Sequence, residues 1–105
     1  MHIEIILDTV CPWCFIGLKR LKDALMERPE LKPIISYKPF LLDPAIPQDG
    51  IKKSNYILEK FKSEQHYDDS VKLVNEIGEK EGLNLNLEMI KIIPNSLSSH
   101  CLIIL

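Results

Sequence analysis

The chain opens on a nearly continuous apolar run, with Ile3, Ile5, Ile6 and Leu7 inside residues 2–7. Such a run suits a buried parallel strand better than a half-exposed one. Asp8 and Thr9 follow as a turn and candidate N-cap. Pro12 fits the first turn of a helix, where its missing N–H costs nothing. Phe15, Leu18, Leu21 and Leu25, with Cys14 and Met26 nearby, then recur at three- and four-residue steps, while Lys19, Arg20, Lys22 and Asp23 take the other side. The helix should stop just before Pro29. Residues 33–38 read as a second strand, ended by Pro39. Strand, helix and strand in this order predict a right-handed crossover and a parallel pair.

Residues 39–50 hold three prolines, Asp43, Asp49 and Gly50, and predict an ordered loop without regular structure. Beyond it the pattern turns helical. Tyr56, Ile57 and Phe61 make one short amphipathic face, and Val71, Val74 and Ile77 with Leu73 make another, closed by Gly82 as a helix C-cap. Leu83, Leu85 and Leu87 alternate with Asn84 and Asn86, which predicts a short extended stretch. Pro94, Asn95 and Ser96 open a last helix carrying Leu97, Cys101 and Ile104, and the sequence stops at Leu102-Ile103-Ile104-Leu105. Such an apolar end leaves helix carbonyls without capping partners, and two strands are fewer than a stable sheet needs. The expectation is the first part of a larger α/β fold: residues 1–50 as a βαβ unit with its loop, 51–105 as a helical insertion, cut before the remaining strands.

Composition narrows the classes of function. With 105 residues the chain is one small domain at most, and 46% hydrophobic content is enough for a core rather than a disordered tail. Thirteen basic and 15 acidic residues, a net charge of −2, leave no basic stripe for nucleic acid. The apolar runs fall well short of the roughly 20 residues of a membrane helix. Met1 and His2 lead straight into the first strand without the basic segment of a secretory leader, so the reading is cytoplasmic, with no membrane and no nucleic-acid partner. Three cysteines cannot all pair within one chain, which fits a reducing compartment.

The chemistry-bearing motif is Cys11-Pro12-Trp13-Cys14, at the junction of the first strand and helix. A helix N-terminus directs unpaired N–H groups and positive dipole at a sulfur there, which favours the nucleophilic thiolate. Two thiols at this spacing near a βαβ pattern read as a thioredoxin-like redox site. Cys11, nearer the helix start and the more exposed sulfur, is the attacking thiol; Cys14, one turn in and partly buried, resolves the mixed disulfide. Pro12 and Trp13 carry no reacting atoms and tune the loop and its polarity. The competing reading, half a zinc site, lacks the other ligands, because Cys101 and three scattered histidines show no paired spacing.

Thr9-Val10-Cys11-Pro12-Trp13-Cys14-Phe15-Ile16-Gly17 is similar to the active-site segment of the DsbA-like thioredoxin-fold family. Its FrnE-like cytoplasmic branch, related to 2-hydroxychromene-2-carboxylate isomerase, also resembles this chain at Pro39-Phe40-Leu41-Leu42-Asp43-Pro44 with Pro47 and Gly50. Lys60-Phe61 and Pro94-Asn95-Ser96 with His100 are further similar blocks. The resemblance spans this chain but about half of such a protein. Ser99 and Cys101 depart from the pattern, where the family more often has Ala and a basic residue, as a frameshift or an early stop would produce. The family's cis-proline loop, which borders the dithiol and comes late in the sequence, has no candidate before Leu105.

The resemblance implies a thiol–disulfide oxidoreductase or isomerase acting on a protein or small-molecule disulfide, with no cofactor beyond the redox-active dithiol and glutathione as a potential co-substrate. Two alternatives stand beside it. A glutathione-dependent isomerase or transferase of the same fold would typically carry Ser where Cys11 stands. A non-catalytic truncated fragment would expose an apolar face that drives homodimerisation.

Other residues have plainer readings beside their functional ones. Asp8 is a turn or capping residue, or a proton relay to Cys14, although a nearby carboxylate opposes a thiolate. His100 is a neighbour of the dithiol by resemblance, or an exposed polar residue on a terminal helix. Asn95 and Ser96 are helix caps first and ligand contacts second. His66, among Gln65, Tyr67, Asp68 and Asp69, belongs to a solvated loop before a metal site. Cys101 is a core residue on the apolar face with Leu97 and Ile104. The prolines at 39, 44 and 47 fix a loop.

Overall fold

The computed structural model describes residues 1–104, with side chains through Ile103; what was expected of the Ile104 side chain and of Leu105 lies outside the described residues. The described chain forms strand β1 (His2–Leu7), helix α1 (Pro12–Glu27), strand β2 (Ile34–Pro39), strand β3 (Ile51–Lys52), helix α2 (Lys53–Lys60), helix α3 (Glu64–Lys80), strand β4 (Ile92–Ile93) and helix α4 (Leu97–Ile104). Two compact units result: Met1–Leu42 with Ser96–Leu105, and Asp43–Asn95. Helix α4 therefore clusters with β1, α1 and β2, not with residues 51–95. No helix among the described residues is long and apolar enough to cross a membrane.

In the first unit β1 and β2 pair in parallel, with Ile3 opposite Ile35 and Ile5 opposite Tyr37. The expected strand buried on both faces is corrected here: β1 alternates, with His2, Glu4 and Ile6 exposed and Ile3, Ile5 and Leu7 half-buried. The exposed face has a polar lattice of its own. His2 Nε2 meets Ser36 Oγ at 2.8 Å, and Lys38 Nζ meets Glu4 at 2.9 Å. Both are cross-strand neighbours in a ladder whose side chains stand on one face at every second residue. Helix α1 ends ahead of Pro29, as Pro requires, with Arg28 as C-cap. Its buried residue is Ile16 rather than Phe15, which is 46% exposed, while Leu18, Leu21 and Leu25 are half-buried.

The second unit builds its core from Ile46, Ile57, Tyr67 and Val74. Phe61 sits between rings, 5.1 Å from Tyr67 edge-on and 6.0 Å from Tyr56, and so ties α2 to α3. Leu73 falls off the α3 face and is 52% exposed. Helix α3 closes as the glycine signal predicted: the Leu83 N–H donates to Gly78 C=O at 2.8 Å and the Gly82 N–H to Glu79 C=O at 3.0 Å, a Schellman end. Gly78 is buried because Leu85 folds over it; a Cβ there would lie 2.8 Å from Leu85 Cδ1. The expected extended stretch keeps its alternation, with Leu83, Leu85 and Leu87 half-buried and Asn84 and Asn86 exposed, but it finds no strand partner. Asn86 instead turns left-handed (φ 50°) into a short 3-10 turn.

Two short strands were not foreseen in the sequence. Ile51 and Lys52 pair antiparallel with Ile93 and Ile92, and the Lys53 N–H extends the ladder to Lys91 C=O at 2.9 Å. Two-residue strands carry too little periodicity to be read from a sequence. Gly50 makes this pairing work. Its φ of +80° is left-handed, and a Cβ would stand 2.7 Å from Ile93 O and 2.8 Å from Ile92 Cγ2. Gly82 shares the backbone sign (φ +78°) but opens onto free space. Gly50→Ala should therefore destabilise the protein by about 2 kcal/mol or more, and Gly82→Ala by only about 1 kcal/mol, the backbone cost alone. Urea unfolding of the two variants checks the order, and equal losses would count against the close approach at Gly50.

Candidate dithiol site

The site begins where β1 gives way to α1. The Cys11 N–H donates to Asp8 C=O at 3.1 Å and closes a turn over Thr9 and Val10. Cys11 itself is the N-cap of α1, extended at φ −93° and ψ 108°, and Pro12 takes the first turn. The expectation that Asp8 or Thr9 caps the helix is corrected: no side chain caps it. No other side chain therefore competes with the Cys11 sulfur for the Trp13 and Cys14 N–H groups. At the third residue of the helix, the Cys14 N–H also donates to Cys11 C=O at 3.1 Å.

Both thiols are free, and both residues are half-buried. The helix N-terminus does not by itself set the acidity of Cys11. Burial pushes the Cys11 thiol above its ordinary value of 9.0, and the hydrogen-bonded Cys14 thiol adds to the rise. The backbone N–H groups of Cys14 and Trp13 pull it down without reversing it. The helix terminus thus acts as reasoned from the sequence, but on a sulfur that has lost part of its hydration. Trp13 is 49% exposed beside the pair.

Asp8 proves more central than the sequence suggested. It is 2% exposed, among the most deeply buried residues described, although it is charged. Its Oδ2 accepts the Leu42 N–H at 2.8 Å, and its Oδ1 accepts the Val10 N–H at 3.4 Å and faces His100 Nε2 at 3.2 Å. Ser96 adds a side-chain hydrogen bond. Burial alone would push the Asp8 carboxyl up, but the bonds from Ser96, Leu42, Val10 and His100 together hold it below its ordinary 3.8.

His100 is 4% exposed, so it is not the exposed polar residue of a terminal helix, and Ser96 is 6% exposed. A second link runs in parallel. Thr9 Oγ1 lies 2.6 Å from Ser99 Oγ, whose own hydrogen goes to Ser96 C=O at 2.7 Å, so Thr9 donates. Helix α4 therefore docks through its polar side: Ser96, Ser99 and His100 at i, i+3 and i+4 form one face. Leu97 is 55% exposed, and Cys101 is exposed rather than core. In the sequence, that polar spacing is the signal for this face.

Asn95 belongs to the second unit, where its Nδ2 donates to Ile46 C=O at 2.7 Å. His66 stands in the first turn of α3, not in a loop, and its N–H is capped by Ser63 Oγ at 3.1 Å. Among the described residues no three His, Cys, Asp or Glu side chains gather as a metal ion requires.

The direction of the Asp8 shift fixes a pH dependence. A carboxyl whose pKa is lowered by folding binds its proton more readily when unfolded, so it stabilises the fold above its ordinary 3.8. That contribution disappears as pH falls through the lower native value. Melting temperature followed from pH 6 to pH 2 should drop more steeply in the natural chain than in Asp8→Asn, and parallel curves would contradict the assignment.

A family model for the DSBA-like thioredoxin domain matches residues 2–105 of this chain. In three dimensions the chain is similar to a probable DsbA oxidoreductase from Streptomyces coelicolor, known from its crystal structure, with a TM-score of 0.69 and 26% sequence identity. The match covers 79% of this chain and 37% of that one, so the chain spans little more than a third of that relative's length. No curated protein matches the chain in sequence. The α/β, thioredoxin-like architecture expected from the βαβ pattern is the fold of this family. With the match running from His2 to Leu105, the chain belongs to the DSBA-like thioredoxin domain family.

Proposed function

We propose that this chain carries the dithiol of a thiol–disulfide oxidoreductase of the FrnE-like branch, working in the cytoplasm on a protein or small-molecule disulfide. The observation that supports the reading is the placement of Cys11 as the N-cap of α1, with the free Cys14 thiol hydrogen-bonded to it. The Cys11 thiolate attacks one sulfur of the substrate disulfide, and the other sulfur leaves as a thiol after taking up a proton. Cys14 then loses its proton and attacks Cys11 Sγ. The second substrate thiol departs and a Cys11–Cys14 disulfide remains. The substrate gains two electrons and the dithiol loses two; the reverse sequence oxidises a substrate dithiol. Pro12 fixes the first helical turn, and Trp13 shapes the polarity of the surface that a substrate meets. The presence of both cysteines favours this reading over a glutathione-dependent isomerase, which needs no resolving thiol.

Two measurements test it. Cys11→Ser should reduce insulin no faster than buffer with dithiothreitol, while Cys14→Ser should trap a mixed disulfide visible by mass spectrometry. Equal insulin reduction by the natural chain and Cys11→Ser would end the proposal. Alkylation of Cys11, followed by mass spectrometry of its peptide, should rise with pH through a midpoint above 9.0, because burial and Cys14 both disfavour the thiolate. A rate already level at pH 7 would show the helix terminus prevailing over burial.

A further inference from the structure

Three side chains from α4 and its approach converge on the turn that precedes the dithiol. Asp8 provides the central contact: it is buried at 2% exposure, and its carboxylate meets four partners from three parts of the first unit. Val10 lies within the turn itself, Leu42 follows β2, and Ser96 and His100 come from the far end of the chain, 88 and 92 residues away. Thr9, the next residue of the turn, is held by Ser99 at 2.6 Å. The dithiol mechanism uses none of these groups. Among the described residues no buried side-chain nitrogen or oxygen lacks a partner, so the cluster is closed and fully bonded.

We infer that Asp8 is a positioning residue for the dithiol: its carboxylate, clamped by His100 and Ser96, fixes the Asp8–Cys11 turn and so holds Cys11 at the head of α1. The inference rests on the dithiol reading for its importance, but its geometry stands independently. The carboxylate fixes the turn through the Val10 N–H, and the Asp8 carbonyl fixes Cys11 through its N–H. Loss of the clamp frees residues 8–11 to move as a loop. The Cys11 sulfur then slips away from the N–H groups of Trp13 and Cys14, the contacts that favour its thiolate. Asp8 touches no reacting atom in this account. It acts through the backbone of the turn, and His100 acts through Asp8.

The choice of variants separates position from charge. Asp8→Ala and Asp8→Asn both remove the negative charge, but Asn keeps an oxygen that accepts a turn or Leu42 N–H. At pH 8, where both are folded by circular dichroism, Cys11 in Asp8→Ala should alkylate about tenfold more slowly than in Asp8→Asn, the scale of a lost buried hydrogen bond. His100→Ala should be slower than His100→Gln, whose amide retains a donor. The double variant Asp8→Ala/His100→Ala should be no slower than Asp8→Ala, because the two side chains act as one unit. All measurements use a Cys101→Ser background, since Cys101 is exposed, and score the Cys11 peptide alone.

Equal rates for Asp8→Ala and Asp8→Asn would overturn the inference, leaving charge alone. Multiplying effects in the double variant would overturn it equally. Should Asp8→Ala fail to fold, the two His100 variants decide by the same comparison. The readout needs no disulfide exchange. A natural chain that fails to reduce insulin would therefore count against the proposed function without touching this result.

Discussion

A carboxylate removed from water must be fully bonded, and the first unit is organised around that requirement at Asp8. An unpaired buried charge costs several kcal/mol, so the surrounding chain has to deliver donors from fixed directions. The donors arrive from the turn, from the end of β2 and from α4, and they hold the carboxyl in its charged form. Each donor thereby acquires a defined place. The Leu42 N–H fixes where the chain leaves β2, the Val10 N–H tightens the turn, and His100 sets how α4 meets it. Deleting one donor from a buried group of this kind typically costs about 1–3 kcal/mol, a sizeable share of a small domain's total stability.

The dithiol shows two opposing influences on one sulfur. The N-terminus of α1 offers N–H donors and favourable dipole, which stabilise a thiolate. Partial burial and a second thiol at hydrogen-bonding distance favour the neutral form, and here they prevail. Nucleophilicity in exchange depends on both thiolate fraction and basicity, and a less acidic thiol attacks more strongly once deprotonated. The turn geometry decides how much of the helix's influence reaches the sulfur, because only N–H groups aimed at it count.

Local signals made most of the elements legible. The apolar run, Pro12 at a helix start, Pro29 beyond its end and Gly82 after α3 each act within a few residues, and each element formed where it was expected. Burial was less legible, because it depends on what packs where. Ile6 and Phe15 belong to apolar runs yet face outward, while Ser96 and His100 look like surface residues yet are nearly inaccessible. The pairing of Ile51–Lys52 with Ile92–Ile93 joins residues some forty positions apart through two-residue strands, below any periodic signal. In the site, Cys11 and Cys14 announced themselves by spacing. Asp8 and His100 each stand out as candidates, but their contact spans 92 residues and no local rule links them.

Docking a helix through serines and a histidine rather than leucines has a further consequence. An apolar stripe tolerates sliding, since dispersion contacts have little direction and can be remade after a small rotation. Hydrogen bonds fail steeply with distance and angle. Turning α4 by one residue, about 100°, would take His100 off Asp8 and Ser99 off Thr9 together, leaving the buried carboxylate one partner short and the Thr9 hydroxyl without its acceptor. The polar face thus admits one rotational setting of α4 and penalises its neighbours. The turn shares two of those bonds through Asp8 and Thr9, so it inherits the same single setting. A chain that must hold a sulfur in register with two N–H groups gains more from such directional contacts than from a larger but slippery apolar one.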